Sequence, residues 1–134
     1  MTKETKLVVA AALVDREGRV LLAERPAGKH LAGSWEFPGG KIEAGERPEE
    51  ALLRELTEEL GISTHESCLA PIAFASHEYD GFNLILLLYV CRKWQGQPRG
   101  LEGQALRWAR PVEMFALDMP PADRPLIGLL DNLI

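Results

Sequence analysis

The sequence predicts an α/β fold in which a mixed β-sheet is packed between helices. Three observations carry that prediction. Leu7–Val14 is an unbroken apolar run, as expected of a central strand covered on both faces. A helix-period segment from about 47 to 60 interrupts the strands in mid-chain, and a second, from about Asp123 to Leu133, closes it. Two apolar, β-prone runs, Leu69–Tyr79 and Phe82–Trp94, meet at Asp80-Gly81, a dipeptide favoured for two-residue hairpin turns. Strands divided and closed by helices in this way pack as layers around one core. With 134 residues the whole chain, 1–134, is expected to form one domain.

In chain order, Asp15-Arg16-Glu17-Gly18 makes a turn after the first strand, and Val20–Ala23 returns as a second. Glu24–Ser34, with Pro26 and two glycines, reads as a loop. Trp35-Glu36-Phe37 is a short extended piece that enters a glycine-punctuated loop over 39–46. Pro48 suits the first position of the middle helix, where its missing N–H is no loss. Glu49 and Glu50 then favour the positive end of the helix dipole, and Gly61 ends the helix in a left-handed conformation. After the hairpin, Gln95–Gly103 is a polar loop, Gln104–Ala109 a last strand and Pro111–Leu117 a short helical turn. The closing helix places Leu126, Leu129, Leu130 and Leu133 on one stripe.

The middle helix has two distinct faces. Leu52, Leu53, Leu56 and Leu60 gather into a stripe to be buried. Glu55, Glu58 and Glu59 gather on a flank beside it, because i, i+3 and i+4 positions adjoin. Like charges at those spacings repel, and Glu46 joins them from the loop. The cluster therefore asks for a cation, either Arg54 or a bound metal, and hard oxygen ligands suit Mg²⁺ or Mn²⁺. An acidic flank alone is an ordinary solvated face. The full string carries more: Gly40, five residues, Glu46, seven residues, Arg54-Glu55-Leu56, one residue, Glu58-Glu59, one residue, Gly61-Ile62. These nine fixed positions over 23 residues match the Nudix box throughout, and the chain resembles a Nudix hydrolase.

The resemblance implies a Nudix-type α/β/α sandwich and a fixed cast of site residues. Glu58 and Glu59 match metal ligands, Glu55 a ligand or the general base, and the Gly39 carbonyl a further ligand. Arg54 orients the carboxylates and Glu46 braces the loop. Gly39 and Gly40 let backbone come close to metal and phosphate, and Lys41 is a candidate phosphate contact. Outside the box, Glu24-Arg25-Pro26, Trp35 to Lys41, Trp94 to Pro98 and Pro120-Pro121-Ala122-Asp123 look like the MutT branch. Carried over, Arg25 binds phosphate or braces the base, Phe37 lies near the base pocket, and Glu102 joins the metal site or acts as base. Asp123 departs from the pattern of MutT enzymes that discriminate 8-oxoguanine, which carry Asn there. It reads a base edge or, alternatively, caps the final helix. An ionised Asp only accepts hydrogen bonds, whereas one whose pKa burial has raised also donates. His30, His65 and His77 show no ligand spacing.

The implied activity is Mg²⁺-dependent hydrolysis of nucleoside triphosphates, notably oxidised ones such as 8-oxo-dGTP, to the monophosphate and pyrophosphate, in nucleotide-pool sanitation. The alternatives are a CTP or dCTP pyrophosphohydrolase and, in another class, a non-catalytic nucleotide-sensing module, which would be expected to lose acidic ligands present here. Net charge of −5 without a basic cluster disfavours direct binding to nucleic acid. The apolar run is too short to span a membrane and no signal cleavage pattern precedes it. Cys68 and Cys91, within apolar runs and outside any CxxC pair, read as buried free thiols of a cytoplasmic protein. Monomer and homodimer both remain open.

Overall fold

The unbroken apolar run becomes the strand on which both layers rest. In the computed structural model, which describes residues 3–134, β1 spans Glu4–Leu13. It lies between β4 (Gly39–Lys41), antiparallel to it, and β6 (Phe82–Cys91), parallel to it. The strand β5 (Ala70–Glu78) pairs antiparallel with the far edge of β6, giving a mixed sheet in the order β4-β1-β6-β5. A smaller antiparallel sheet, β3-β2-β7, is built from Trp35–Glu36, Val20–Glu24 and Leu106–Ala109. Met1 and Thr2, on which the leader-peptide expectation bears, lie outside the described residues.

Alternation along β1 sends its small residues to two cores. Ala10 and Ala12 join Leu86, Leu88 and Val90 under the helices α2 (Pro111–Met114) and α3 (Arg124–Leu133). Val9, Ala11 and Leu13 join Tyr89 and Cys91 under α1 (Pro48–Leu60). The expected α/β/α sandwich is present, with helices on both faces of the mixed sheet. The helix α1 buries Ala51, Leu52, Leu56 and Leu60, while Leu53 is half-buried at its margin. At its start the Arg47 N–H donates to Glu50 Oε1 at 2.8 Å, and at its end Gly61 takes a left-handed φ of 70°. Tyr89 Oη donates to Glu49 Oε2 at 2.6 Å, fastening the first turn of α1 to β6.

Some expectations are corrected. The glycine segment is a loop only after Lys41, because its first three residues pair with β1. A Cβ on Gly39 would collide with the Val9 carbonyl oxygen, so only glycine permits that approach. In α3 the buried stripe is Leu126, Ile127 and Leu130; Leu129 and Leu133 are 44% and 57% exposed. The segment carries more leucines than one face can cover. The hairpin turns at Asp80-Gly81, closed by Tyr79 N–H to Phe82 O at 2.8 Å. Neither turn residue adopts the left-handed φ that this dipeptide favours. Both thiols are free, with Cys91 buried and Cys68 half-buried.

Candidate active site

The register of α1 aims Arg54, Glu55, Glu58 and Glu59 at the edge where β4 meets β1. Arg54 is the hub. Its Nε and Nη2 donate to the two oxygens of Glu46 at 2.8 and 2.9 Å, a bidentate geometry that strengthens and orients the pair. Its Nη1 donates to Glu55 Oε1 at 2.9 Å and to Glu58 Oε2 at 3.4 Å. Nη2 also reaches the Lys41 carbonyl at 3.1 Å, joining helix to β4. Glu43 stands 3.7 Å from the same guanidinium. The hydrogen bonds from Arg54, with help from the Glu43 backbone, hold the half-buried Glu46 carboxyl down at about 2.

One guanidinium does not balance this much negative charge. Glu59, half-buried, accepts from the Gly39 N–H at 3.2 Å. Its pKa is pushed up to about 9, by burial first and then by the charges of Glu55, Glu102 and Glu36. Glu55 is raised by burial, against the pull of Arg54, with Glu58 and Glu102 adding to the rise. Glu102, distant in sequence, is therefore brought within electrostatic reach of both. A Cβ on Gly40 would strike the Glu55 carboxylate, so the glycine leaves open the ground on which that group rests. Among the described residues no three His, Cys, Asp or Glu side chains close into a ready-made metal cage. Glu55, Glu58, Glu59 and Glu102 nonetheless have the chemistry of a divalent-cation site: oxygen donors in excess, one retaining a proton against its ordinary pKa. A hard divalent cation fits that donor set and would displace the proton.

A second group of residues gathers around Glu36 and Asp123. Arg25 Nη1 pairs with Glu36 Oε1 at 2.8 Å, and its Nε donates to the His30 carbonyl at 2.6 Å. Burial raises the Glu36 pKa despite that pairing. Phe37 is 3% exposed, hence part of the core, and its backbone N–H donates to Asp123 Oδ2 at 3.3 Å. Asp123 occupies the position before α3 but makes no capping bond. The helix-cap alternative is thereby corrected: the side chain is turned inward towards Phe37. Asp123 is 6% exposed, and its pKa is pushed up to about 8, by burial first and then by Glu36. Tyr79 stands beside this group, its ring 5.0 Å edge-on from that of His30.

Two sites of complementary character thus flank the glycine strand. The family model described as NUDIX domain matches residues 9–129. The chain belongs to the Nudix hydrolase family. Among relatives of this Nudix chain is an Escherichia coli K12 protein named 8-oxo-dGTP diphosphatase. It is 38% identical over 130 residues, covering 96% of this chain and 98% of the relative. A second, named CTP pyrophosphohydrolase, from the same organism, is 41% identical over 121 residues, covering 89% and 87%. The solution structure of the E. coli ORF135 protein superposes with a TM-score of 0.83 at 38% identity, covering 98% of this chain and 91% of that one. A MutT structure from work on Aliivibrio salmonicida and Vibrio cholerae gives 0.81 at 30%, covering 98% and 100%.

The sequence-predicted residues thus fall into two groups. Gly39, Arg54, Glu55, Glu58, Glu59 and Glu102 converge, and Arg25, Phe37 and Asp123 form the second group. Lys41 has its side chain exposed beside the first. Sequence reasoning missed Glu36 as the partner of Arg25 and as the neighbour of Asp123. Its place between Trp35 and Phe37 was the available signal, because alternation turns it to the opposite side from both.

Two outcomes follow from this geometry. Gly40→Ala, at a position without a left-handed φ, folds but displaces the Glu55 carboxylate. Its kcat is expected to fall about 100-fold, with the melting temperature little changed in a thermal-denaturation assay. For Asp123, the folded-state pKa lies above the unfolded one of about 3.9. The folded state therefore keeps a proton that the unfolded state loses, and stability falls as pH rises from there to about 8. Asp123→Asn is expected to raise the melting temperature at pH 8 more than at pH 5; an equal shift at both would contradict the raised pKa.

Proposed function

We propose that this Nudix hydrolase is a Mg²⁺- or Mn²⁺-dependent nucleoside triphosphate pyrophosphohydrolase acting in nucleotide-pool sanitation. Oxidised dNTPs such as 8-oxo-dGTP would be cleaved to the monophosphate and pyrophosphate. The observation that carries this reading is the carboxylate set Glu55, Glu58 and Glu59 on one helix flank, gathered by Arg54 and joined by Glu102. Glu58, Glu59, Glu102 and the Gly39 carbonyl would hold the metal, with Glu55 as a further ligand or the general base. When bound, such an ion neutralises phosphate charge and acidifies a coordinated water.

The remaining work falls to the chain itself. Arg54 fixes Glu55 and Glu58 against their mutual repulsion, so that their oxygens are already oriented. The glycine strand leaves backbone open to a phosphate chain, and Lys41 supplies an exposed cation at its edge. Arg25, braced by Glu36, and the buried Phe37 and Asp123 form the wall for the base. The protonated form of Asp123, which burial favours, offers a donor beside its acceptor oxygens, as an amide does. That supports an oxidised guanine as substrate, and so does the relative named 8-oxo-dGTP diphosphatase. The second reading, CTP or dCTP, is supported by Asp123 standing where an Asn is expected and by the relative named CTP pyrophosphohydrolase.

In this reading the chain acts as one domain on a free nucleotide, without nucleic acid or membrane, as a monomer or homodimer. No helix among the described residues is long and apolar enough to cross a membrane, and the two free thiols support a cytoplasmic setting.

Turnover of a panel of triphosphates, with product identification and ¹⁸O-labelled water, tests the proposal. 8-oxo-dGTP is expected to have the highest kcat/KM and to yield pyrophosphate. Glu58→Gln is expected to lower kcat on the order of 100-fold or more. An unchanged rate in that variant removes the assigned site, and a kcat/KM highest for dCTP selects the second reading.

A further inference from the structure

The loop that carries Glu102 has no regular structure of its own, yet its carboxylate must come to rest beside a helix more than forty residues earlier. The backbone of the loop supplies part of the answer. Arg99 N–H donates to the Leu60 carbonyl and Leu101 N–H to the Glu59 carbonyl, each at 3.0 Å. The loop therefore docks on the open carbonyls at the C-terminal end of α1, where helical partners run out. It then turns back sharply, with Gly103 N–H donating to the Gly100 carbonyl at 3.1 Å. A Cβ on Gly100 would collide with the Gln104 carbonyl oxygen, so the turn brings the Gln104 backbone directly against Gly100.

At that point one side chain bridges the two sources of carboxylate. Gln104 Nε2 donates to the Glu59 carbonyl at 3.1 Å, and Gln104 Oε1 accepts from the Glu102 N–H at 2.9 Å. A primary amide is required for both bonds at once, since it carries a donor and an acceptor two bonds apart. A glutamate would keep the acceptor but set a carboxylate oxygen against the Glu59 carbonyl. It would also add negative charge where Glu55, Glu59 and Glu102 already repel one another. Gln104 is half-buried, and the hydrogen bonds of its side chain are these two, both to backbone. Its rigidity is borrowed from β2, because Glu24 N–H donates to the next residue's carbonyl, that of Ala105, at 3.0 Å.

We infer that Gln104 is a positioning residue: its amide clamps the Glu102 backbone to the Glu59 carbonyl and so holds the loop carboxylate in register with the helix carboxylates. The inference rests on the reading of Glu102 as a member of the metal site. It adds the residue that decides whether Glu102 is in place before any ion or nucleotide arrives. Without the clamp, Glu102 belongs to an exposed loop and must be ordered at each binding event, which weakens the site without altering its composition.

The test is Mn²⁺ binding to the nucleotide-free protein, read from the free-ion electron paramagnetic resonance signal. The variants are Gln104→Met, Gln104→Glu, Glu102→Gln and the double variant Gln104→Met with Glu102→Gln. Gln104→Met, which keeps length and removes the amide, is expected to weaken Mn²⁺ binding about 10-fold. Gln104→Glu, which differs from the native residue by one atom and controls for folding, is expected to weaken it at least as much. Glu102→Gln alone weakens binding, and adding Gln104→Met to it is expected to change nothing beyond about twofold. In turnover, both Gln104 variants lose kcat while KM for the nucleotide holds. Native Mn²⁺ affinity in Gln104→Met and Gln104→Glu overturns the inference while leaving the site reading intact, provided Glu102→Gln is weakened. A full additional loss in the double variant also overturns it, because Gln104 would then act independently of Glu102. Unaltered binding in Glu102→Gln removes the reading of Glu102 as a ligand, and the inference falls with it.

Discussion

The fan of hydrogen bonds from the Arg54 guanidinium is the interaction on which the site depends. Four carboxylates, those of Glu43, Glu46, Glu55 and Glu58, lie within 4 Å of this one cation. Left to themselves, the helix glutamates would separate into solvent, since neighbours at these spacings repel. Arg54 reverses that preference at a modest cost in conformational freedom, because its planar fork engages Glu46 with two parallel bonds and leaves Nη1 for the others. It also ties helix to sheet through the Lys41 carbonyl. Burial, and after it the neighbouring charges that Arg54 leaves unbalanced, push the Glu59 pKa up to about 9. A structure that concentrates oxygen donors and then keeps a proton among them is one prepared for a divalent cation.

Everything beneath α1 serves to keep that fan in place. β4 and β6 flank β1, and the absence of a Cβ on Gly39 lets the glycine strand pair with it. The helix is fixed at its start by the Arg47–Glu50 backbone bond and the Tyr89–Glu49 bond. It is fixed at its end by Gly61 and by the docked loop from Arg99 to Gln104. The carboxylate cluster and the group around Asp123 are joined through the run from Trp35 to Lys41, and the Glu36 charge reaches both Glu59 and Asp123. Arg25, Glu36 and Asp123 form a smaller version of the same arrangement, with two carboxyl groups and one guanidinium in a drier setting. There burial first, and then the Glu36 charge, raises the Asp123 pKa to about 8.

Much of this was legible in the sequence because it is written in local periodicity. The Leu52, Leu56 and Leu60 stripe and the Glu55, Glu58 and Glu59 flank follow from helical geometry alone, and Pro48 and Gly61 bound the helix. The hairpin at Asp80-Gly81 and the interior position of Val9–Val14 follow from apolar patterning, whereas Leu7, at the head of the same run, is 47% exposed. What the sequence left open depends on contacts between distant segments. The inward turn of Asp123 is set by the Phe37 N–H, 86 residues earlier, whereas its local context read equally well as a helix cap. The division of strands into two sheets and the strand character of Gly39–Lys41 depend on the pairing partner. The exposure of Leu129 and Leu133 reflects how α3 sits on the sheet, which a stripe of leucines does not specify.

The central claim is that the carboxylates gathered around Arg54, with Glu59 and Glu102, capture a divalent cation beside the glycine strand. It is tested most directly by a crystal structure of the protein with Mn²⁺ and a non-hydrolysable nucleoside triphosphate, with the ion located by anomalous scattering. An anomalous peak bounded by Glu55, Glu58, Glu59 and Glu102 is expected, with the phosphate chain against Gly39 and Gly40. An ion and nucleotide lodged elsewhere, with these side chains turned to solvent, would contradict it.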